Sequence, residues 1–307
     1  MILFPADSLQ KSQVETDYQV EWDGAKAANF EVAIFDFDEL LRGESARQIL
    51  RFLPREAEIQ NVILRSWMLS VENYGRLETM LIERGFSLLT SANNYEFAHH
   101  FPGFYPFLEN YTPRSITIPL AEFKQGDNLD FAPIAARLQS FGDAPLVVKD
   151  WVKSQKHRWH EACFIPRASD LVSAEKVVRR FLELQGEFLT GGVVLRAFLE
   201  LKSVGTHPKS GLPLTAEWRV FVLDGKPFFT APYWDGADYG TLKLDLDFVR
   251  ERAKTIPARF FSLDVAQTID DEWKVIEIGD GQVSGLPSVQ FASEFFSALR
   301  KIAPRNL

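Results

Sequence analysis

Cysteine is almost absent from this chain of 307 residues, because Cys163 is the only one. A single thiol can form neither an intramolecular disulfide nor a zinc site built from several cysteines, and it fits a reducing compartment. No apolar run approaches the length of a membrane span, and residues 1–5 are too short for the apolar core of a signal peptide. These absences predict a cytoplasmic protein with no membrane partner.

Blocks of basic residues are also missing. The formal net charge is −8, and Lys and Arg occur in no block longer than a few residues. This distribution argues against a general nucleic-acid binder, although it allows a local pocket for an anion. With 46% hydrophobic residues, the chain can bury a sizeable core, and its length allows two domains.

Two kinds of pattern divide the chain. Strand and helix signals alternate through the first third, which is typical of a small open α/β sheet. Residues 93–119 are rich in aromatic residues and prolines, and we predict an irregular connection there. Longer strands and hairpins follow. We therefore expect a mixed α/β (α+β) fold with an N-terminal α/β domain at 1–115 and a second domain at 116–307, whose subdomains cover about 116–204 and 205–307.

A hairpin near the C-terminus carries the most informative acids. Residues 260–266 and 273–278 are predicted strands around a polar turn, and a turn centred between Asp270 and Asp271 sets Asp264 opposite Glu277. Their Cβ atoms would lie roughly 5 Å apart. Two ionised carboxylates at that distance need a proton or a cation, and an all-oxygen site suits Mg²⁺. The alternative is a surface hairpin whose acids face water.

Cations dominate a second segment. Residues 144–153 are a predicted strand that delivers Lys149, and period-two alternation would place Lys153 on the same face. The cation-rich loop that follows could cover a polyphosphate, as could a second basic loop at residues 205–212. A solvated basic loop is the alternative for the first of these segments.

Two arginines lie within predicted strands. The residues around Asp224-Gly225 form a predicted hairpin, and alternation places Arg219 on one face with Glu217 and Phe221. An arginine on a largely apolar face needs an anionic partner, which would be either Glu217 or a ligand phosphate. Arg196, in the apolar strand VVLRAFLEL, raises the same question.

The order of these elements resembles the ATP-grasp superfamily. PLVVK at 145–149 is followed by a linker near 196–200 and then by the acidic strands. The motifs VVKDWVKS, EWRVFV and EIGDGQVSGLP are similar to those of the bacterial and phage ATP-grasp clade named for two arginines and a lysine. The front segments ILFPAD, LRSWMLS and YTPRSITIP also look like that clade. The resemblance spans nearly the whole chain and implies a two-subdomain ATP-grasp fold behind a small α/β domain.

The resemblance also implies residue roles. Lys149 would contact the nucleotide phosphates, with Lys153 as a second contact, and Arg219 would hold the transferring phosphate. Asp264 and Glu277 would bind Mg²⁺. Many relatives carry Asn two residues after that glutamate, whereas this chain has Gly279 followed by Asp280, so Asp280 becomes the candidate third ligand. The linker that would clamp the adenine and ribose comprises Arg196, Ala197, Phe198, Leu199 and Glu200.

The implied activity is that of a Mg²⁺- and ATP-dependent carboxylate–amine ligase, which forms an amide or peptide bond through an acyl phosphate. Its partners would be ATP and a small-molecule or peptide carboxylate and amine, and a protein partner remains open. Arg65 is a candidate for holding the acceptor carboxylate, with a surface or structural role as the alternative. Cys163, in an apolar strand, is expected in the core.

A second class of function stays open. Cell-division-cycle-type translation-factor assembly chaperones look like relatives of this clade, and they keep an ATP-grasp nucleotide site as binding proteins. Under this alternative, the front domain and residues 93–119 would form a partner surface. A kinase-like transfer that releases a phosphorylated acceptor is a third option.

Overall fold

The computed structural model describes residues 1–126, 128–206, 211 and 213–303. Most of the basic loop predicted at residues 205–212 lies outside the described residues.

The front part of the chain forms a parallel sheet covered by helices. Its four strands lie in the order β2-β1-β3-β4, and all neighbouring pairs are parallel. Two of its helices, α2 and α4, have N-terminal side-chain caps. Asp36 accepts a hydrogen bond from the Glu39 amide, and Ser70 accepts one from the Asn73 amide. This part confirms the predicted open α/β sheet. Its elements are β1 (Ile2–Pro5), α1 (Gln19–Ala27), β2 (Val32–Phe35), α2 (Phe37–Arg42), α3 (Ala46–Ile49), β3 (Gln60–Leu64), α4 (Val71–Ile82) and β4 (Phe86–Leu88).

The predicted irregular connection at residues 93–119 is wrong. It contains two helices, α5 (Ala92–His99) and α6 (Phe101–Leu108), and it ends in strand β5 (Ser115–Pro119). Pro102 lies in the first turn of α6, where a proline sacrifices no helical hydrogen bond. Phe101, Phe104 and Leu108 are buried at helical spacing, so apolar periodicity outweighed the proline content.

The middle part is an antiparallel sheet in the order β5-β10-β8-β9, packed against α9. Asp170 caps the N-terminus of α9, because its side chain accepts a hydrogen bond from the Ser173 amide. A π-helical turn at Trp159–Cys163 precedes β9 and lies at the end of the predicted cation-rich loop. The elements after β5 are α7 (Leu120–Phe123), β6 (Lys124–Gln125), β7 (Asn128–Leu129), α8 (Ala132–Leu138), β8 (Leu146–Asp150), β9 (Phe164–Ile165), α9 (Leu171–Gln185) and β10 (Gly192–Ala197).

The last part contains a second four-stranded antiparallel sheet, in the order β14-β13-β15-β16. The Asp224-Gly225 hairpin is confirmed, with φ of 47° and 71° at its two turn residues, as a tight primed turn requires. One face of this sheet, helix α11 and the front sheet share an apolar cluster that includes Phe4, Phe221 and Phe295. The elements are β11 (Ser203–Thr206), β12 (Pro213–Thr215), β13 (Glu217–Leu223), β14 (Lys226–Pro232), α10 (Leu246–Thr255), β15 (Phe260–Gln267), β16 (Trp273–Asp280) and α11 (Ala292–Ile302).

Within the described ranges, none of these helices combines the length and apolar character needed to cross a bilayer.

Candidate functional site

The two acids of the C-terminal hairpin face each other, as predicted. Asp264 of β15 is the register partner of Glu277 of β16. Nearer the turn the pairing differs by one residue, because Val265 pairs with Val275, and a bulge at Ile276 restores the register. The turn itself covers residues 268–272, and Asp271 has a φ of 64°. The predicted pair is therefore confirmed, although a bulge rather than a turn centred between Asp270 and Asp271 produces it.

Arg219 is bound to the first of these acids. Arg219 of β13 is the register partner of Asp264 on β15, and its Nε and Nη2 atoms donate to the two carboxylate oxygens at 2.8 and 2.7 Å. Its Nη1 atom donates to the carbonyl oxygen of Gly285 at 2.8 Å. Burial lowers the pKa of Arg219, but the Asp264 charge outweighs burial and raises it. The partner is thus Asp264 rather than Glu217, and the bidentate geometry is that of a strong pair.

Lys149 is bound to the second acid, across the gap between the two antiparallel sheets. Its Nζ atom lies 2.5 Å from Oε1 of Glu277, and Lys149 is 7% exposed. Burial raises the pKa of Glu277, but the positive charges of Lys149 and Lys156 lower it more strongly, to about 2. Glu277 is therefore held as a carboxylate between cations.

Lys156 and Glu217 complete the charged cluster. Lys156 lies in a 3-10 turn of the cation-rich loop, at Lys156–Arg158. Desolvation lowers the pKa of Lys156, but nearby negative charges raise it by more, so the net shift is upward. The largest of these charges is that of Glu217, and Glu277 and Asp264 also contribute. Burial and the Asp264 charge raise the pKa of Glu217. In the sequence, Lys156 is only one of several cations in a basic loop, since no periodic pattern distinguishes it from its neighbours.

Lys153 does not share a face with Lys149, so that expectation is wrong. The chain turns after Asp150, whose Oδ1 atom accepts hydrogen bonds from the Val152 and Lys153 amides at 2.6 and 2.5 Å. Strand alternation ends at this turn. Lys153 is exposed and lines a cavity together with Trp67 of the front domain.

The predicted adenine linker begins with the last two residues of β10, Arg196 and Ala197, and continues for three residues beyond the strand. The Ala197 and Phe198 amides already donate to the carbonyls of Arg114 and Pro145, at 2.8 and 2.9 Å. Glu200 is exposed, and its carbonyl accepts a hydrogen bond from the Ile269 amide at 3.1 Å. The amides of Ala197 and Phe198 therefore already have protein partners.

Three aromatic rings meet beside this linker. Trp159 stacks on Phe164 with ring centroids 5.2 Å apart, and Phe198 packs edge-on against both rings. Such rings offer flat apolar surfaces suited to a base. Trp159 and Phe164 belong to the loop and strand that follow Lys156, which no local sequence pattern connects to the linker.

Arg196 has protein partners. Its Nη2 atom donates to Oγ1 of Thr112 at 2.8 Å and to the carbonyl oxygen of Val275 at 3.3 Å. Arg196 is 8% exposed, and burial lowers its pKa to about 10. The bond to Val275 ties the middle sheet to β16, two residues before Glu277.

Asp280 does not join Asp264 and Glu277. It pairs with Phe261 on the opposite face of the hairpin, is 0% exposed, and accepts a hydrogen bond from the Gln282 amide at 3.0 Å. Burial raises its pKa to about 7. Across the described part of the chain, no three His, Cys, Asp or Glu side chains converge in a metal-binding group. Asp280 lies three residues after Glu277, and two side chains an odd number of residues apart on a strand point to opposite faces of the sheet.

Arg65 takes the structural role that the sequence left open. Its guanidinium donates to both carboxylate oxygens of Glu21, at 2.7 and 2.9 Å, and to the carbonyls of Gly281 and Ser284. It is 1% exposed. Arg65 therefore joins the front part of the chain to the segment after β16 and has little capacity left for an acceptor.

Comparison with known proteins agrees with this arrangement. A model of the ATP-grasp domain, for family 3 of the clade named for two arginines and a lysine, matches residues 140–299, just over half of the chain. No curated protein matches the chain. Three solved structures share the fold at low identity. They are a RimK domain ATP-grasp protein from Sphaerobacter thermophilus (12% identity, 98% of both chains, TM-score 0.60), the D-cycloserine synthetase DcsG (13%, 98% of both chains, 0.58) and a D-alanine–D-alanine ligase from Bacillus anthracis complexed with ATP (15%, 98% of this chain and 94% of that chain, 0.55). The chain belongs to the ATP-grasp proteins of the two-arginine, one-lysine clade.

Proposed function

We propose that this protein is a Mg²⁺- and ATP-dependent carboxylate–amine ligase. The observation that carries the proposal is the pairing of two acids on one sheet with two cations from two sheets, Asp264 with Arg219 and Glu277 with Lys149. The solved ATP-grasp structures that share this fold include a synthetase and a ligase, which supports the same class for this chain.

The acids fit a magnesium ion. Mg²⁺ prefers oxygen ligands and commonly takes one or two carboxylates while substrate phosphates and waters supply the rest. Asp264 and Glu277 offer these two carboxylates on neighbouring strands, so the distant position of Asp280 does not prevent binding. The ion would neutralise charge on the phosphates that it touches.

Binding of Mg²⁺ and ATP would replace the present ion pairs within the protein by pairs with the ligands. Lys149 and Arg219 now hold the carboxylates, and phosphate oxygens would take over these two cations as the carboxylates turn to the metal ion. Lys156, on the cation-rich loop, would supply a third positive charge. Each charged group thereby keeps a partner of opposite sign, which avoids leaving a buried charge uncompensated.

The chemistry then needs no protein nucleophile. An acceptor carboxylate oxygen attacks the γ-phosphorus of ATP, the bond from that phosphorus to the bridging oxygen breaks, and ADP leaves. An amine nitrogen attacks the resulting acyl phosphate, the carbon–oxygen bond to phosphate breaks, and the amine loses a proton. Arg219 and Lys149 would stabilise charge on the transferred phosphoryl group. Cys163 is buried, and burial raises its pKa to about 11, which supports a core role.

The chaperone alternative has less support. It uses the aromatic segment at residues 93–119 together with the front part of the chain as a partner surface, and in that segment Phe101 and Phe104 are buried in the core while only Phe107 and Tyr111 are exposed large apolar side chains. We therefore treat nucleotide binding without turnover as an outcome of the test.

Calorimetric titration of ATP with Mg²⁺ tests the site. We expect binding to the wild type and a loss of at least about tenfold in affinity for Glu277→Gln, which keeps a hydrogen-bond acceptor for Lys149. Glu272→Gln, in the exposed turn of the same hairpin, is the matched control. Release of ADP that depends on added carboxylate and amine would support the ligase. Binding with no such turnover would favour the chaperone, and no binding would refute both.

A further inference from the structure

A cavity of about 340 Å³ lies between the front domain and the segment that follows β16. The front sheet contributes Tyr18, from the segment after β1, and residues 65–68, which directly follow β3. In the strand order β2-β1-β3-β4, the chain leaves β1 in one direction and β3 in the other. Ligands of parallel sheets bind at the carboxyl ends of strands at such a switch point.

The cavity contains a buried hydroxyl group with no partner. Ser66 is 2% exposed, lines the cavity, and its Oγ atom has no hydrogen-bond partner among the described residues. Buried hydroxyl groups are almost always hydrogen-bonded, because leaving one unsatisfied is unfavourable. Because this residue lies in the cavity wall, a rotation of its side chain would let a polar ligand atom in the cavity supply the missing partner.

The charge of the lining favours an anion. Lys153 lines the cavity and, over the described ranges, forms no ion pair. Arg65 also lines it, but Glu21 neutralises that guanidinium through two hydrogen bonds. No Asp or Glu is among the lining residues that the structure describes. Lys153 therefore leaves the cavity with a net positive charge.

The remaining lining is aromatic and apolar, and one end of the cavity reaches the charged site. Trp67 packs edge-on against Tyr18 with ring centroids 5.3 Å apart, and Met68 is 45% exposed. Gly285 lines the cavity, and its carbonyl oxygen accepts the hydrogen bond from Arg219. A ligand here would thus lie next to the residue proposed to hold the transferring phosphate.

We propose that this cavity binds the carboxylate substrate, an α-carboxylate next to a large apolar side chain, with Lys153 and Ser66 as its anchors. This assignment rests on the proposed ligase function. The carboxylate belongs either to a free amino acid or to the C-terminal residue of a peptide, and a cavity of this size accepts one such residue.

Calorimetry with three probes tests the assignment. Phenylalanine, glycyl-phenylalanine and phenylalaninamide are titrated into the protein with and without Mg²⁺ and a non-hydrolysable ATP analogue. We expect one or both acids to bind and the amide, which lacks the carboxylate, to bind about tenfold more weakly. The tighter of the two acids identifies a free amino acid or a peptide end as the source.

Two variants and two controls complete the design. Lys153→Met and Ser66→Ala should each weaken binding of the acid by about tenfold, because each removes one anchor. Lys176→Met and Ser297→Ala, at exposed helix positions, should not. Lys153 is exposed, so its variant tests the proposal even if Ser66→Ala does not fold.

The two proposals fail in different ways. If the nucleotide analogue binds but neither acid binds under either condition, or both variants bind the acid as the wild type does, the cavity assignment is overturned and the nucleotide site stands. If the nucleotide analogue does not bind, the ligase proposal is overturned, and the titrations without nucleotide still show whether the cavity binds the acids.

Discussion

Arg219 and Asp264 lie directly opposite each other on neighbouring strands, and the guanidinium holds both carboxylate oxygens at 2.7 and 2.8 Å. The proposed phosphate-binding cation and the proposed magnesium ligand are therefore partners of each other in this structure. In the proposed complex, ligand binding separates them, so nucleotide and metal should bind as a coupled pair.

Removing the arginine should expose this coupling. Arg219→Gln leaves Asp264, which is 3% exposed, without its cation and should lower the free energy of unfolding by about 3–5 kcal/mol. Mg²⁺ added without nucleotide should raise the melting temperature of this variant more than that of the wild type, because the carboxylate is no longer occupied. Thermal unfolding with and without Mg²⁺ measures both effects.

The double variant Arg219→Gln/Asp264→Asn is the control for that prediction. It removes the charge that would be left uncompensated, so most of the lost stability should return and the response to Mg²⁺ alone should disappear. Equal responses to Mg²⁺ in the wild type and in Arg219→Gln would contradict the exchange of partners.

Asp280 should make stability depend on pH. Burial raises its pKa in the folded state from 3.8 to about 7, so the folded protein binds this proton more tightly than the unfolded chain does. The contribution is therefore fully present below about pH 4 and is lost as pH rises towards and through 7. Asp280→Asn, which stays neutral, should be more stable than the wild type at pH 8 by about 1–3 kcal/mol, and equally stable near pH 4.

Urea unfolding at the two pH values measures this difference. Asp23→Asn, at an exposed position of α1, serves as the control and should follow the wild type at both. A variant at Asp280 that is destabilised at pH 8 would show that its carboxylate is ionised and needed there.

Lys156 should contribute to nucleotide affinity although its sequence context does not distinguish it. Its positive charge lies near Glu217, Glu277 and Asp264, so Lys156→Met should weaken Mg²⁺·ATP binding by about tenfold. Arg158→Met, in the same 3-10 turn, is the matched control, because Arg158 pairs with Glu161 instead. Titration calorimetry compares the two, and equal losses would point to a general effect of loop charge.

Trp159 should matter for the base rather than for the phosphates. The ring stacks on Phe164 and meets Phe198 beside the proposed adenine linker. Trp159→Ala should weaken binding of ATP and of adenosine by a similar factor, about tenfold, because the lost ring is the surface proposed to contact the base. Weakening of ATP binding alone would place the ring near the phosphates instead.

Sequence alone determined the features that depend on local periodicity. Alternation along β13 placed Arg219 with Phe221, and the acidic hairpin brought Asp264 and Glu277 together because its two strands are neighbours in the chain. The motifs around Lys149, Arg219 and Glu277 also identified the ATP-grasp clade. Such features need only a strand period of two and a short connection.

Tertiary structure alone decided the rest. The partners Arg219 and Asp264 are 45 residues apart, and Lys149 and Glu277 are 128 apart, so sheet order and sheet docking bring them together. Docking also buried Asp280 against the front domain, and the turn after Asp150 aimed Lys153 at the cavity. These outcomes follow from how whole apolar faces pack, which no local pattern of residues encodes.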